Sequence, residues 1–231
     1  MLVGLRAGPP ARLAAAACCL LALAGCARRT SVAAPPQRVI VAVDRSGSTA
    51  NAPARTALFE ALDHVATTAT VQRATMQLLL FDREVHEAWG PEVPASSRDL
   101  ADIKDRELRL DAVPRRFTCP GRMFRAVATA LEKCPADAVV TLVVLTDGGA
   151  ELEQDRRDMI EFGGKVAADP RLRGVLVAGI RPESRALWRR ALDGMAPDRV
   201  RMAGPGREME SALQQWARDL RPAGSNAHGA R

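Results

Sequence analysis

Val39-Ile40-Val41-Ala42-Val43-Asp44-Arg45-Ser46-Gly47-Ser48 is the stretch that decides the fold of this chain. Its first five residues are apolar and mostly β-branched, with no polar interruption. Such a run predicts a strand buried on both faces, as in a parallel sheet. One carboxylate and two hydroxyls follow at i, i+2 and i+4: Asp44, Ser46 and Ser48. Oxygen-only donors in a tight loop suit a hard divalent cation such as Mg²⁺. A second run of the same character, Val139 to Leu145, leads into the acidic turn Asp147-Gly148-Gly149. Both turns are thereby placed at the C-terminal ends of buried strands, where open α/β sheets bind their ligands.

Outward from these two strands, helical and strand signals alternate. Leu58, Leu62, Val65, Ala66 and Ala69 recur at helical spacing, and Met76–Phe81 reads as a buried strand. Val85–Trp89 is short, follows an Asp-Arg-Glu turn, and reads as an antiparallel edge strand. Residues 90–117 are polar and Pro-bounded, with one short helix expected around Ser97–Leu110. Further on come a helix over Arg122–Lys133, a charged helix over 151–168, a strand over Gly174–Ile180 and a helix ending near Gly194. A short strand over Arg199–Ala203 and a last helix through Met209, Leu213, Trp216 and Leu220 complete the pattern. The fold expected is α/β: a three-layer, doubly wound, mostly parallel six-stranded sheet with one antiparallel edge strand.

Val-Ala-Val-Asp44-Arg-Ser46-Gly-Ser48 followed, roughly 100 residues later, by Leu-Val-Val-Leu-Thr-Asp147-Gly resembles a von Willebrand factor type A (vWA) domain, from about residue 38 to 220. The resemblance implies a metal-ion-dependent adhesion site (MIDAS). Ser46 and Ser48 would ligate the cation through their hydroxyls, and Asp44 and Asp147 mostly through water. Mg²⁺ is the implied ion, with Mn²⁺ or Ca²⁺ as substitutes, and the open coordination position would take a carboxylate from a partner protein. In the family a threonine precedes the helix between the two motifs. Counting back from Met123 and Ala126 puts Gly121 in that place, with Thr118 three residues earlier. Either Thr118 reaches the metal from an extended loop, or this ligand is missing. Without a metal, Asp44 and the serines would only satisfy backbone N–H groups of the turn.

The first residues are set apart from the fold. Arg6 and Arg12 precede the apolar segment Leu13–Leu23, which is too short to span a bilayer as a helix. Leu23-Ala24-Gly25-Cys26 is similar to a bacterial lipoprotein box, which implies cleavage after residue 25 and acylation of the Cys26 sulfur. The organisation expected is a signal peptide over 1–25, a lipidated Cys26 with a flexible tether through 37, the vWA-like domain over 38–220 and a tail over 221–231. Attachment to the bacterial cell envelope follows, with the outer membrane or periplasmic face favoured. Cys119 and Cys134 flank the Arg122–Lys133 helix. That helix would be about 18 Å long, against the roughly 7 Å Cα separation a disulfide tolerates, so two unpaired, partly buried thiols are expected.

Composition narrows the function classes. The sequence has 33 Lys+Arg against 27 Asp+Glu, and 3% aromatic residues. The positive charge is spread along the chain with no basic block interleaved with aromatics, which argues against nucleic-acid binding. Arg45 is read as exposed within its loop. His64 and His86 have no second His or Cys at ligand spacing and are read as surface or packing residues. Trp188 and Trp216 fit apolar helix faces. A phosphatase resembling the haloacid dehalogenases would need a second carboxylate where Ser46 stands, and no Gly-x-Ser-x-Gly elbow exists, so catalysis and a small-molecule substrate are not expected. The leading expectation is a membrane-anchored protein-binding module using a divalent cation. The alternative is a metal-independent scaffold of the same fold.

Overall fold

A computed structural model describes residues 35–50, 52–92, 101 and 117–220. The short helix expected around Ser97–Leu110, the lipoprotein segment and the tail over 221–231 fall outside the described residues. Six strands form one sheet: β1 (Gln37–Asp44), β2 (Thr75–Phe81), β3 (Val85–Glu92), β4 (Val139–Leu145), β5 (Leu172–Ala178) and β6 (Val200–Ala203). Their order is β3-β2-β1-β4-β5-β6. Every pairing is parallel except β2 with β3, which is antiparallel at the edge. The helices are α1 (Ala52–Val71), α2 (Pro120–Glu132), α3 (Glu153–Ala167), α4 (Arg185–Ala191) and α5 (Arg207–Asp219).

The continuous apolar runs of β1 and β4 are explained by burial from both sides. Successive residues of β1 alternate between two cores. Val39, Val41 and Val43 pack with Leu62 and Val65 of α1 and Leu213 and Trp216 of α5. Ile40 and Ala42 pack with Met123, Phe124 and Val127 of α2, Met159 of α3 and Trp188 of α4. The residues of β3 are all half-buried or exposed. β5 begins and ends two residues earlier than the sequence suggests. Leu172 already pairs with Val140, and Gly179 turns the chain at φ +91°.

Register fixes where the loops meet. Asp44 pairs with Phe81, and Val43 pairs with Leu145, so β1, β2 and β4 end almost level. The chain leaves β1 toward β2 on one side, while β4 lies on the other. Strand order therefore reverses at β1, and the crevice between the loops after β1 and β4 is the topological switch point of the sheet.

Candidate functional site

The loop after β1 is folded around its own carboxylate. The Ser46 N–H donates to Asp44 Oδ1 at 2.8 Å, closing an Asx turn. Thr49 Oγ1 donates to the carbonyls of Asp44 and Ser46, at 3.1 and 2.8 Å. These bonds set Ser46 and Ser48 side by side, with their hydroxyl oxygens 3.0 Å apart. Asp44 is 1% exposed. Its second oxygen accepts the hydroxyl of Thr146 at 2.6 Å, which joins the two loops across the switch point. Burial pushes the Asp44 carboxyl up to about 7, outweighing the hydrogen bonds from Thr146 and Ser46 that favour the anion, and the Asp147 charge acts in the same direction as burial.

The loop after β4 is held from below. Thr146 Oγ1 also accepts the Gly148 N–H at 2.9 Å. Gly148 has φ +90°, and a Cβ there would stand 2.7 Å from the Ile180 side chain, so only glycine fits. The Trp188 indole donates to the Gly148 carbonyl at 3.2 Å, which gives this core tryptophan a second task as a prop for the site. Asp147 Oδ1 accepts the Gly149 N–H at 3.2 Å, and its Oδ2 pairs with Arg181 at 2.7 Å.

Thr118 and Gly121 stand in different surroundings. Thr118 lies in the same cradle as Asp147. A methyl placed on Gly149 would meet Glu151 Oε1 at 3.2 Å, Asp147 Oδ1 at 3.6 Å and Thr118 Oγ1 at 3.7 Å. Thr118 is fully buried, and among the described residues its hydroxyl has no hydrogen-bond partner. Its backbone N–H donates to Glu151 Oε2 at 2.9 Å. Gly121 is taken up by packing. It sits at the α2–α3 contact, where a Cβ would come within 2.5 Å of the Asp155 carbonyl. The absence of a side chain lets Asp155 accept the N–H groups of Gly121 and Arg122, capping α2 from the first turn of α3. Burial raises the Asp155 carboxyl to about 6.

Arg45 differs from the sequence expectation of an exposed side chain. Its side chain is 9% exposed and pairs at 3.2 Å with Asp82, itself buried at the end of β2. The Cys119 N–H donates to the Asp82 carbonyl at 3.0 Å, so the loops after β1 and β2 and the start of α2 are tied together. Cys119 and Cys134 stand at opposite ends of α2, and both are free and buried. Burial pushes the Cys119 thiol up to about 11. His86 is exposed on β3 and His64 half-buried on α1. Among the described residues no three or more His, Cys, Asp or Glu side chains are grouped so that they could hold a metal ion. A site made of Asp44, Asp147 and three hydroxyls would not form such a cluster, because its donors are mainly Ser and Thr.

The donor set fits a hard cation. Ser46 and Ser48 present hydroxyl oxygens beside Asp44, Thr118 presents one beside Asp147, and the Thr118 hydroxyl is buried without a partner among the described residues. An orphaned buried hydroxyl costs about 1–3 kcal/mol, which a ligand would recover. Sequence reading did not single out Thr146, Asp82, Glu151, Arg181 or the propping role of Trp188. Thr146 and Glu151 carried a signal, since each adjoins the Asp147 turn, whereas Asp82 and Arg181 are brought in by neighbouring strands.

Taken together, the sheet order, the antiparallel edge and the paired loops define a vWA-like fold. A von Willebrand factor type A protein from Catenulispora acidiphila has this fold, with 16% identity over 80% of this chain and 42% of that chain (TM-score 0.55). So does the pilus adhesin SpaC from Lactobacillus rhamnosus GG, with 13% identity over 80% of this chain and 30% of that chain (TM-score 0.62). An aerotolerance-related membrane protein from Bacteroides fragilis shares 12% identity over 79% of this chain and 98% of that chain (TM-score 0.53). At these identities the likeness is one of fold, and the chain spans less than half the length of the first two. No family model and no curated protein matches the sequence.

Proposed function

We propose that this protein is an adhesion or scaffold module, held at the bacterial cell envelope by acylated Cys26. In this reading a divalent cation at Asp44, Ser46, Ser48, Thr118 and Asp147 receives a carboxylate from a partner protein. The observation that carries the proposal is the Thr118 hydroxyl beside Asp147, fully buried and without a partner among the described residues. When bound, Mg²⁺ (or Mn²⁺ or Ca²⁺) would supply a Lewis-acidic centre that attracts an anionic side chain. The chain's own residues orient the hydroxyls, keep Asp44 away from bulk water and fix Asp147 at the rim. Phe117 and Leu152 are 38% and 42% exposed. They are the chain neighbours of Thr118 and Glu151, so large apolar side chains adjoin the site residues, as suits a protein partner.

The pilus adhesin of the same fold supports the adhesion reading by analogy only. Among the described residues no helix is long and apolar enough to cross a membrane, so attachment in this proposal rests on the lipid. Both oxygens of Asp44 are occupied by hydrogen bonds, which suits a non-enzymatic role better than a phosphoryl-accepting nucleophile. A metal-independent scaffold is the second reading. It is favoured by Arg181, whose guanidinium already offsets the Asp147 charge. Affinity capture from cell envelopes with and without chelator tests the choice. Capture of a protein that chelator releases, and that Asp44→Ala also loses, is the expected result. Capture indifferent to chelator supports the scaffold reading instead.

A further inference from the structure

We propose that Arg181 is a built-in competitor of the cation: its guanidinium holds Asp147 in the cation-free protein, so the site loads only at cation concentrations high enough to break that pair. The inference rests on the cation reading above and adds a regulation of that same site. Arg181 Nη2 lies 2.7 Å from Asp147 Oδ2, while the other oxygen, Oδ1, accepts the Gly149 N–H. Asp147 therefore stands with its charge already offset. A divalent ion approaching it competes for Oδ2 and meets the positive charge of the guanidinium at short range, where like charges repel.

The fold fixes the backbone of Arg181 and leaves its side chain free to move. Gly179 turns the chain after β5 at φ +91°, and a Cβ there would stand 2.8 Å from the Thr146 carbonyl, so the loops after β4 and β5 pack directly on each other. Ile180 is fully buried against Gly148. The Arg181 N–H then donates to the Asp147 carbonyl at 3.0 Å. Beyond this anchored backbone the Arg181 side chain is 53% exposed, against 15% for Asp147. Among the described residues Asp147 is the guanidinium's only hydrogen-bond partner. Exposed ion pairs of this kind are weak, so a divalent cation can displace the arginine, and the freed guanidinium passes into solvent.

Two variants separate the charge from the backbone anchor. Arg181→Gln removes the charge and Arg181→Lys keeps it, and both retain the N–H that bonds the Asp147 carbonyl. Mg²⁺ and Mn²⁺ are titrated calorimetrically into the full chain in detergent micelles. Arg181→Gln is expected to bind both cations about fivefold more tightly than wild type, with Arg181→Lys within about twofold of wild type. Arg181→Gln binding less than about twofold more tightly than wild type, or Arg181→Lys binding as tightly as Arg181→Gln, overturns the proposal and leaves the cation reading intact. Saturable binding by Arg181→Gln with none by wild type supports both. Binding by neither at millimolar concentration overturns both.

Discussion

At the scale of single residues, the site holds polar groups whose burial costs the folded state stability. Thr118 is the clearest case: a buried hydroxyl with no partner burdens the fold unless something binds it. Thr118→Val keeps the shape and removes that burden. The variant is expected to melt in chelator at or above the wild-type temperature and to lose the cation-induced rise. A fall in chelator would mean that the hydroxyl has a structural partner. Asp44 tells the same story through pH. Its carboxyl is raised to about 7 from 3.8 by burial, so between those values the folded state holds a proton that the unfolded state has released. Its contribution to stability is therefore full below the lower value and lost as pH rises through about 7. Asp155, raised to about 6, adds in the same direction. Melting temperature in chelator is expected to fall from about pH 5 to about pH 8. Asp44→Asn should flatten that profile and melt above wild type at the alkaline end. A wild-type profile that rises with pH in chelator would contradict the burial account. The Asp44, Ser46, Ser48 and Asp147 positions were legible because they follow apolar runs at fixed offsets. The pairing of Arg45 with Asp82 was not, because it joins the ends of neighbouring strands 37 residues apart.

At the scale of elements, the strands declare themselves and the loop paths do not. β1 and β4 read as strands because both their faces are buried, and β3 read as an edge because its pattern is weaker and follows a turn. Gly121 shows where linear counting stops working. The offset from Met123 assigns it the metal-binding place, yet the tight contact of α2 with α3 claims it for packing. Only the approach of Asp155, from a helix that starts some thirty residues later, reveals this. Gly121→Ala would drive a methyl into the Asp155 carbonyl. It is expected to destabilise the domain by about 1–3 kcal/mol, read as a Tm lower by several degrees. Because α2 follows directly after Thr118, the same variant should weaken cation binding. A Gly121→Ala chain as stable as wild type would show that the α2–α3 contact yields at little cost.

At the scale of the whole molecule, a sheet whose order reverses at β1 brings two loops together, and this generic property of doubly wound folds made their meeting predictable. What the loops bind is not generic. In the reading proposed here it depends on the hydroxyls, on Arg181 and on the apolar neighbours Phe117 and Leu152, most of which gain meaning only once the chain is folded. The central claim is that these groups hold one divalent cation. Its most direct test is a titration of the full chain with Mn²⁺, counting free ion by electron paramagnetic resonance, for wild type and Asp44→Ala. A single saturable site present in wild type and absent from Asp44→Ala is the predicted result. No saturable binding at millimolar Mn²⁺, or binding that Asp44→Ala leaves unchanged, would contradict it.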